Sequence, residues 1–178
     1  MSNKLAILRG INVGGKRKIL MADLKSLCEK LGWKEVSTYI QSGNVIFKSE
    51  KENEDLGKEL TDGVLEQFGF EVPVLVRNSE EFQNSIEKNP FYNSQADITK
   101  LHLTFLKENP QDEDLQQIKL LGCEPDQFAV DGKDVFIYCE GKYHQSKLTN
   151  NFFEKKLKVG ATTRNWKTVL KLLDLASE

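Results

Sequence analysis

The sequence predicts an α+β fold whose first half is ferredoxin-like, a βαββαβ unit with an antiparallel sheet and both helices on one face. Three observations support this prediction. Short β-branched runs alternate with segments whose apolar residues recur at helical spacing. Glycines occur at the predicted turns, and the second half repeats the outline of the first. The predicted second half is a related βαββ unit followed by extra C-terminal helices.

The first half contains six predicted elements. They are a strand at 5–9, a helix at 21–31, strands at 36–40 and 45–47, a helix at 56–68 and a strand at 72–76. The first helix has one apolar face and is followed by Gly32, a common residue at helix ends. The middle strands meet across Gly43, which supplies the positive φ of a hairpin turn. Pro73 favours the start or an edge of the last strand.

The connection to the second half contains a short helix that Asn78 or Ser79 is predicted to cap, and it ends before Pro90. The predicted domain organisation is a ferredoxin-like subdomain at 1–78, a helix and linker at 79–97, and a second α+β subdomain at 98–178.

The second half is predicted to contain a strand at 101–106, a helix at 115–121 and two strands, 128–130 and 135–138, around an Asp-Gly turn. Thr149 or Asn150 caps a further helix that reaches residue 157. No closing strand is predicted after it. A C-terminal helix containing Trp166 follows instead, and Thr162 or Thr163 is expected to cap it.

Composition excludes several classes of protein. Of 178 residues, 39% are hydrophobic and 29% are charged, which is typical of a soluble globular protein. The net charge of -2 argues against a general nucleic-acid coat. No apolar run is long enough to cross a bilayer, so we expect a cytoplasmic protein without a membrane partner.

Cys28, Cys123 and Cys139 form no C-x-x-C pair, and we expect free thiols and no metal site.

A glycine-rich basic loop between the first strand and the first helix is the principal candidate site. Glycines allow positive φ and close approach to the main chain, and the neighbouring cations suit a phosphate group. The candidate ligand-binding residues here are Arg9, Gly10, Asn12, Gly14, Gly15 and Lys16. Two interpretations remain open: an anion-binding loop, and a tight connection with solvated lysines.

The loop nearly matches the phosphate-binding motif G-x-x-x-x-G-K-[ST], from Gly10 to Arg17. Arginine replaces the hydroxyl residue that would hold Mg²⁺, and the following helix begins several residues after Lys16. A nucleoside triphosphatase is therefore disfavoured. No Ser/His/Asp arrangement or nucleophile motif is visible, so no catalytic residue and no cofactor are assigned, and the question of enzyme activity stays open.

Two further groups are candidates. Ser42 and Asn44 flank the first hairpin turn; they either serve the turn alone or join the glycine loop. Thr163, Arg164 and Asn165 lie at the predicted start of the C-terminal helix, where free N–H groups and an arginine attract anions. Trp166 either stacks on a base or anchors this helix to the core.

Six sequence blocks resemble a widespread bacterial family of uncharacterised proteins, catalogued as a domain of unknown function. The blocks are LRGINVGGK (8–16), MADL (21–24), TYIQSGNV (38–45), VLVR (74–77), NPF (89–91) and ATTRNWKTV (161–169). The resemblance spans almost the entire chain. It implies a two-part α+β fold with a ferredoxin-like first part, and it supplies no activity, substrate or cofactor.

Three functions are compatible with these observations. The first is a binding module for a phosphorylated small molecule or nucleotide, which uses the glycine loop. The second is a single-stranded nucleic-acid module that presents Tyr39 and Phe47 from paired strands. The third is a self-associating or structural protein that uses the sheet edge at 72–76. The oligomeric state is not predicted.

Overall fold

The first half has the predicted βαββαβ order. Its elements are β1 (Ser2–Leu8), α1 (Met21–Lys30), β2 (Lys34–Tyr39), β3 (Asn44–Ser49), α2 (Asn53–Phe68) and β4 (Val74–Asn78). The sheet order is β2-β3-β1-β4 and every pairing is antiparallel. At the centre, Ala6 of β1 lies opposite Val45 of β3 on one side and Val76 of β4 on the other. This is the ferredoxin-like topology that the sequence predicts, with β4 as an edge strand.

Helix α3 (Ser79–Lys88) begins immediately after β4. Asn78 Oδ1 accepts a hydrogen bond from the Glu81 amide at 2.8 Å, and Glu81 Oε2 accepts one from the Asn78 amide at 2.8 Å. This reciprocal pair is a capping box, which satisfies two amides at the helix start. The predicted cap is therefore confirmed, and Asn78 provides it.

The second half repeats the same topology. It comprises β5 (Leu101–Leu106), α4 (Asp112–Lys119), β6 (Gln127–Asp131), β7 (Asp134–Tyr138), α5 (Asn150–Leu157), β8 (Ala161–Asn165) and α6 (Trp166–Ala176), with short 3₁₀ turns at Ile98–Lys100 and Tyr143–Gln145. The sheet order is β6-β7-β5-β8. The predicted relation between the halves is confirmed, and β8 completes the second one.

Strand β8 lies where the sequence predicted a helix cap. Thr162 and Thr163 pair with Phe105 and Thr104 of β5, so the prediction that one of them caps the C-terminal helix was wrong. The cap is Asn165, whose Oδ1 accepts a hydrogen bond from the Thr168 amide at 2.9 Å. A five-residue strand without apolar alternation gives little local signal, because its partner lies far away in sequence.

The computed structural model describes residues 1–178, which divide into two units. The first comprises Met1–Gln83 with Lys171–Glu178, and the second comprises Asn84–Leu170. The end of α6 thus belongs to the first unit, where the Asn3 side-chain amide donates to the Ala176 carbonyl.

The core of the first unit lies between its sheet and helices α1 and α2. Its central side chains are Ala6, Leu8, Leu24, Val45, Phe47, Leu56, Leu60 and Val64. Side chains alternate between the faces of a strand, so Leu5 and Ile7 lie on the opposite face of β1. Both are also buried, at 1% and 0% exposure. The central strand of this sheet therefore presents no open face.

Candidate functional site

The glycine-rich loop folds into a small β-hairpin. Val13 and Lys16 form an antiparallel bridge, and the Lys16 amide donates to the Val13 carbonyl at 3.1 Å. The two central residues, Gly14 and Gly15, have φ of +59° and +72°. A two-residue turn with positive φ at both positions is the type I′ turn, which glycine favours strongly. These glycines thus have a conformational role in the hairpin, and both are exposed at its tip.

Asn12 fixes the base of the hairpin. Its Oδ1 accepts a hydrogen bond from the Ile19 amide at 2.9 Å, and its Nδ2 donates to the carbonyls of Ile19 and Gln41 at 3.0 and 2.8 Å. Its own amide donates to the Arg17 carbonyl. Asn12 was predicted to contact a ligand. In the structure, its side chain instead forms hydrogen bonds that join the loop to the β2–β3 turn.

The β2–β3 turn lies against the same loop. The Leu8 amide donates to the Gly43 carbonyl at 2.9 Å. Asn44 is buried, and its Nδ2 donates to the Tyr39 carbonyl at 2.9 Å and to Ser42 Oγ at 3.0 Å. Ser42 and Asn44 thus stabilise the turn itself. The two hydrogen bonds of Asn44 Nδ2 lie within the turn, and the turn as a whole adjoins the glycine loop.

The hairpin carries three consecutive cations without ion pairs. Lys16, Arg17 and Lys18 are all exposed, and none contacts a carboxylate. The amides of Gly14 and Gly15 also have no partner in the chain. The Arg9 amide differs, because it donates to the Pro73 carbonyl. Gly10 has φ of +72° and is exposed at the start of the loop. The outer part of the loop thus keeps the unpaired donors, and its base is held internally.

A pocket of about 390 Å³ lies between the hairpin and the start of α1. Its lining residues are Asn12, Gly15, Lys18, Ile19, Leu20, Asp23, Gln41 and Phe68. Lys18 is the cation in this lining, whereas Lys16, which the sequence favoured, does not line the pocket. No local pattern in the sequence distinguishes these two lysines.

The start of α1 borders this pocket through Leu20 and Asp23. Leu20 occupies the N-cap position and makes no side-chain cap. The amides of Met21, Ala22 and Asp23 consequently have no partner within the chain. Such free amides give a helix start a partial positive charge, which favours an anion.

The lining also contains side chains that were not among the candidate ligand-binding residues, including Gln41, Asp23 and Phe68. Gln41 presents an exposed carboxamide, Asp23 a carboxylate, and Phe68 a partly buried ring. The Phe68 ring stacks with Phe70, with centroids 6.3 Å apart and planes 26° apart. The side chains of Phe68 and Gln41 belong to segments remote from the loop, so only folding brings them to it.

Thr163, Arg164 and Asn165 belong to the second unit, whereas the hairpin belongs to the first. Thr163 Oγ1 is bonded to Thr104 Oγ1 at 2.6 Å and to Asn150 Oδ1. Arg164 is 9% exposed, its Nη1 donates to the Thr163 carbonyl at 3.0 Å, and burial lowers its pKa to about 10. These polar groups are engaged within the protein.

Two aromatic predictions are resolved by burial. Trp166 is fully buried and packs against Tyr92 with ring centroids 5.2 Å apart, so of the two alternatives it is the core anchor. Phe47 is 1% exposed and stacks on Trp33 at 3.9 Å, in the core between sheet and helices. The nucleic-acid hypothesis required Phe47 to present its ring to single-stranded bases. Because the ring is buried, it cannot do so.

The second unit contains a buried histidine. His102 stacks on Tyr143 with ring centroids 4.2 Å apart, and its Nδ1 is buried without a hydrogen-bond partner. Burial lowers the pKa of His102 to about 4.

The three cysteines are free thiols, and burial raises the pKa of Cys28 to about 12. No group of three metal-ligating side chains occurs, and no helix is long and apolar enough to span a bilayer.

The fold and the site together define a class: an α+β protein with two ferredoxin-like units, the first of which carries a cationic β-hairpin beside a pocket. The chain belongs to the DUF1697 family, described as a protein of unknown function, whose sequence profile matches residues 1–136. The chain is also similar to a solved structure, the conserved bacterial protein SP0830 from Streptococcus pneumoniae. The sequence identity is 26%, the TM-score is 0.79, and 98% of each chain is covered. No curated protein matches the chain.

Proposed function

We propose that this protein binds a phosphate-bearing small molecule in the pocket between the hairpin and helix α1. One observation supports the proposal: a cationic side chain, an exposed glycine of the turn and the start of an uncapped helix line a single concavity. Lys18 supplies an ammonium group, Gly15 belongs to the exposed glycine turn, and Leu20 marks the uncapped start of α1. The volume of about 390 Å³ is in the range of small-molecule sites.

Lys18 makes no ion pair, and the amides of the glycine turn have no partner within the protein. An ammonium group that makes no ion pair remains available to attract an incoming anion. Exposed amides at a glycine turn and at a helix start add donors that face solvent before the ligand arrives. A phosphate that contacts Lys18 and such amides gains charge-assisted hydrogen bonds, which are stronger than neutral ones.

Comparison of the two halves supports a functional role for the hairpin. Both halves have the same topology, yet the β1–α1 connection comprises residues 9–20 and the equivalent β5–α4 connection only residues 107–111. The shorter connection is sufficient to join these elements. The additional residues in the first unit therefore exceed what the fold requires, and loops of this kind commonly carry binding residues.

The test is equilibrium binding of inorganic phosphate, sugar phosphates and nucleotides to the full-length protein. Lys18→Ala is expected to weaken binding of a phosphorylated ligand by about tenfold, the loss of one charge-assisted contact. Lys16→Ala is the matched control, because the neighbouring cation does not line the pocket and its loss is expected to change affinity less than threefold. Absence of binding to every phosphorylated compound, or equal effects of the two substitutions, contradicts the proposal.

A second candidate is single-stranded nucleic acid bound through the outer surface of the hairpin. The observation that favours it is the run of three exposed, unpaired cations from Lys16 to Lys18. Binding by these groups would be electrostatic and would weaken steeply as salt concentration rises. This candidate predicts that the protein retains single-stranded RNA and that Lys16→Ala and Arg17→Ala each reduce this retention. An effect of Lys18→Ala no larger than theirs would favour this candidate over the pocket.

A further inference from the structure

The pocket contains one side chain that opposes the binding of a bare anion. Asp23 lies in the first turn of α1 and lines the same cavity as Lys18. Asp23 is exposed and forms no ion pair. A carboxylate repels inorganic phosphate, but it accepts hydrogen bonds well from hydroxyl or amino groups. The lining therefore favours a ligand with both an anionic end and hydrogen-bond donors.

The other lining groups indicate what else the ligand contains. Phe68 and Leu20 give the pocket an aromatic and an aliphatic wall, and Leu20 is 68% exposed despite being apolar. A planar ring can pack on a phenylalanine side chain with a gain beyond simple burial of area. Gln41 adds a carboxamide that is exposed and has both donor and acceptor atoms; its main-chain carbonyl is already bonded to Asn12.

We propose that the ligand is a nucleoside phosphate; this inference rests on the proposed function and specifies its ligand class. The phosphate lies at Lys18 and the amides of the glycine turn and helix start. The base packs on Phe68 and Leu20, and Asp23 accepts hydrogen bonds from sugar hydroxyls. Carboxylates have this role towards ribose in other nucleotide sites. The arrangement explains why cationic, acidic and apolar side chains share one small cavity.

The experiment compares four probes on the full-length protein by calorimetry: ribonucleoside 5′-monophosphates, the unphosphorylated nucleosides, ribose 5-phosphate and inorganic phosphate. We expect at least one nucleoside monophosphate to bind about tenfold or more tightly than ribose 5-phosphate, because the base adds stacking and apolar contact. Phe68→Leu should weaken binding of that nucleotide about fivefold to tenfold and leave ribose 5-phosphate almost unchanged.

Asp23→Asn provides the sharper test, because its effects on two probes have opposite signs. Binding of the nucleoside monophosphate should weaken about threefold to tenfold, through loss of a charged acceptor. Binding of inorganic phosphate should strengthen, because a repulsive charge is removed. Asp55→Asn, in the first turn of α2 and outside this pocket, is the matched control and should change neither affinity. Phe152→Leu, a partly buried aromatic of the second unit, controls for general destabilisation.

The outcomes separate the two proposals. If no phosphorylated probe binds, the proposed function fails and this inference fails with it. If ribose 5-phosphate or inorganic phosphate binds as tightly as every nucleotide, and Asp23→Asn strengthens all of them, the phosphate site stands and the nucleoside assignment is overturned. Unfolding temperatures of all variants are measured alongside, and Asp23→Asn with a native unfolding temperature still distinguishes a nucleoside phosphate from a bare phosphate if Phe68→Leu fails to fold.

Discussion

Gly43 and Ile11 approach each other so closely that no side chain fits between them. A Cβ at residue 43 would lie 2.6 Å from Ile11 Cδ1 and 2.9 Å from Leu8 Cβ. Gly43 also has φ of +88°. The contact joins the β2–β3 turn to the beginning of the glycine-rich loop, so the conformation of the candidate site depends on this glycine.

Gly43→Ala is expected to destabilise the protein by about 3 kcal/mol, because it combines a strained φ with overpacking of a buried contact. Gly32→Ala is the matched control: Gly32 also has φ of +88°, but a Cβ there would meet nothing within 4 Å. Its expected cost is about 1 kcal/mol, from backbone conformation alone. Urea denaturation measures both, and equal losses would contradict the steric argument.

Asn12→Ala should loosen the base of the hairpin, because three side-chain hydrogen bonds disappear and alanine disfavours the residue's φ of +56°. We expect a loss of about 2–3 kcal/mol. Asn12→Gly keeps the backbone conformation accessible, so its loss of about 1–2 kcal/mol isolates the hydrogen bonds.

The measurement for Asn12 is amide hydrogen exchange across residues 10–19 together with chemical denaturation. Asn93→Ala serves as a control, since that exposed side chain accepts a hydrogen bond only from the nearby Gln95 amide. Unchanged exchange at Ile19 in Asn12→Ala would show that the side chain does not hold the loop.

Asn165→Ala should shorten helix α6 from its beginning and cost about 1 kcal/mol, the usual effect of losing an N-cap acceptor. Asn165→Asp keeps the acceptor and should retain near-native stability. Thermal unfolding and exchange of the Thr168 amide report the effect. A native-like Asn165→Ala variant would contradict the assignment of the cap.

Stability should decrease with falling pH because of His102. Its folded-state pKa of about 4 lies below the ordinary value of 6.5, so the unfolded chain takes up the proton first. The stability contributed by the neutral imidazole is complete above pH 6.5 and is lost as the pH falls to about 4. The loss attributable to this group is at most about 3 kcal/mol.

His102→Phe keeps an aromatic ring against Tyr143 and removes the titration. The difference in unfolding free energy between the variant and the unsubstituted protein should therefore change between pH 6.5 and 4, in favour of the variant at low pH. Carboxylates such as Glu140, whose pKa is lowered by hydrogen bonds from Tyr138 and Lys100, contribute equally to both proteins. Parallel stability curves over this interval would contradict the assignment.

Much of the fold was predictable because its signals are local. Leu56, Leu60 and Val64 recur at helical spacing and form the buried face of α2. Gly14 and Gly15 occupy the two positive-φ positions of a turn, which sequence reasoning anticipates from glycine alone. Asn78 caps α3 as expected. The candidate site was predictable only as a region, since the sequence indicated the loop but favoured Lys16 over Lys18.

What the sequence determined by itself is the order of elements as far as α5, the turns and the cationic character of the loop, since each depends on residues within a few positions of one another. The tertiary structure alone decided which polar groups stay available. Asn12 and Asn44 have donor atoms that suit a ligand, but folding engages them in the hairpin base and the β2–β3 turn. Strand β8 was likewise decided by tertiary pairing, because Thr104 and Thr163, 59 residues apart, meet only in the assembled sheet. Long-range contacts of this kind leave no periodic signal, and they select both the closing strand and the residues that line the pocket.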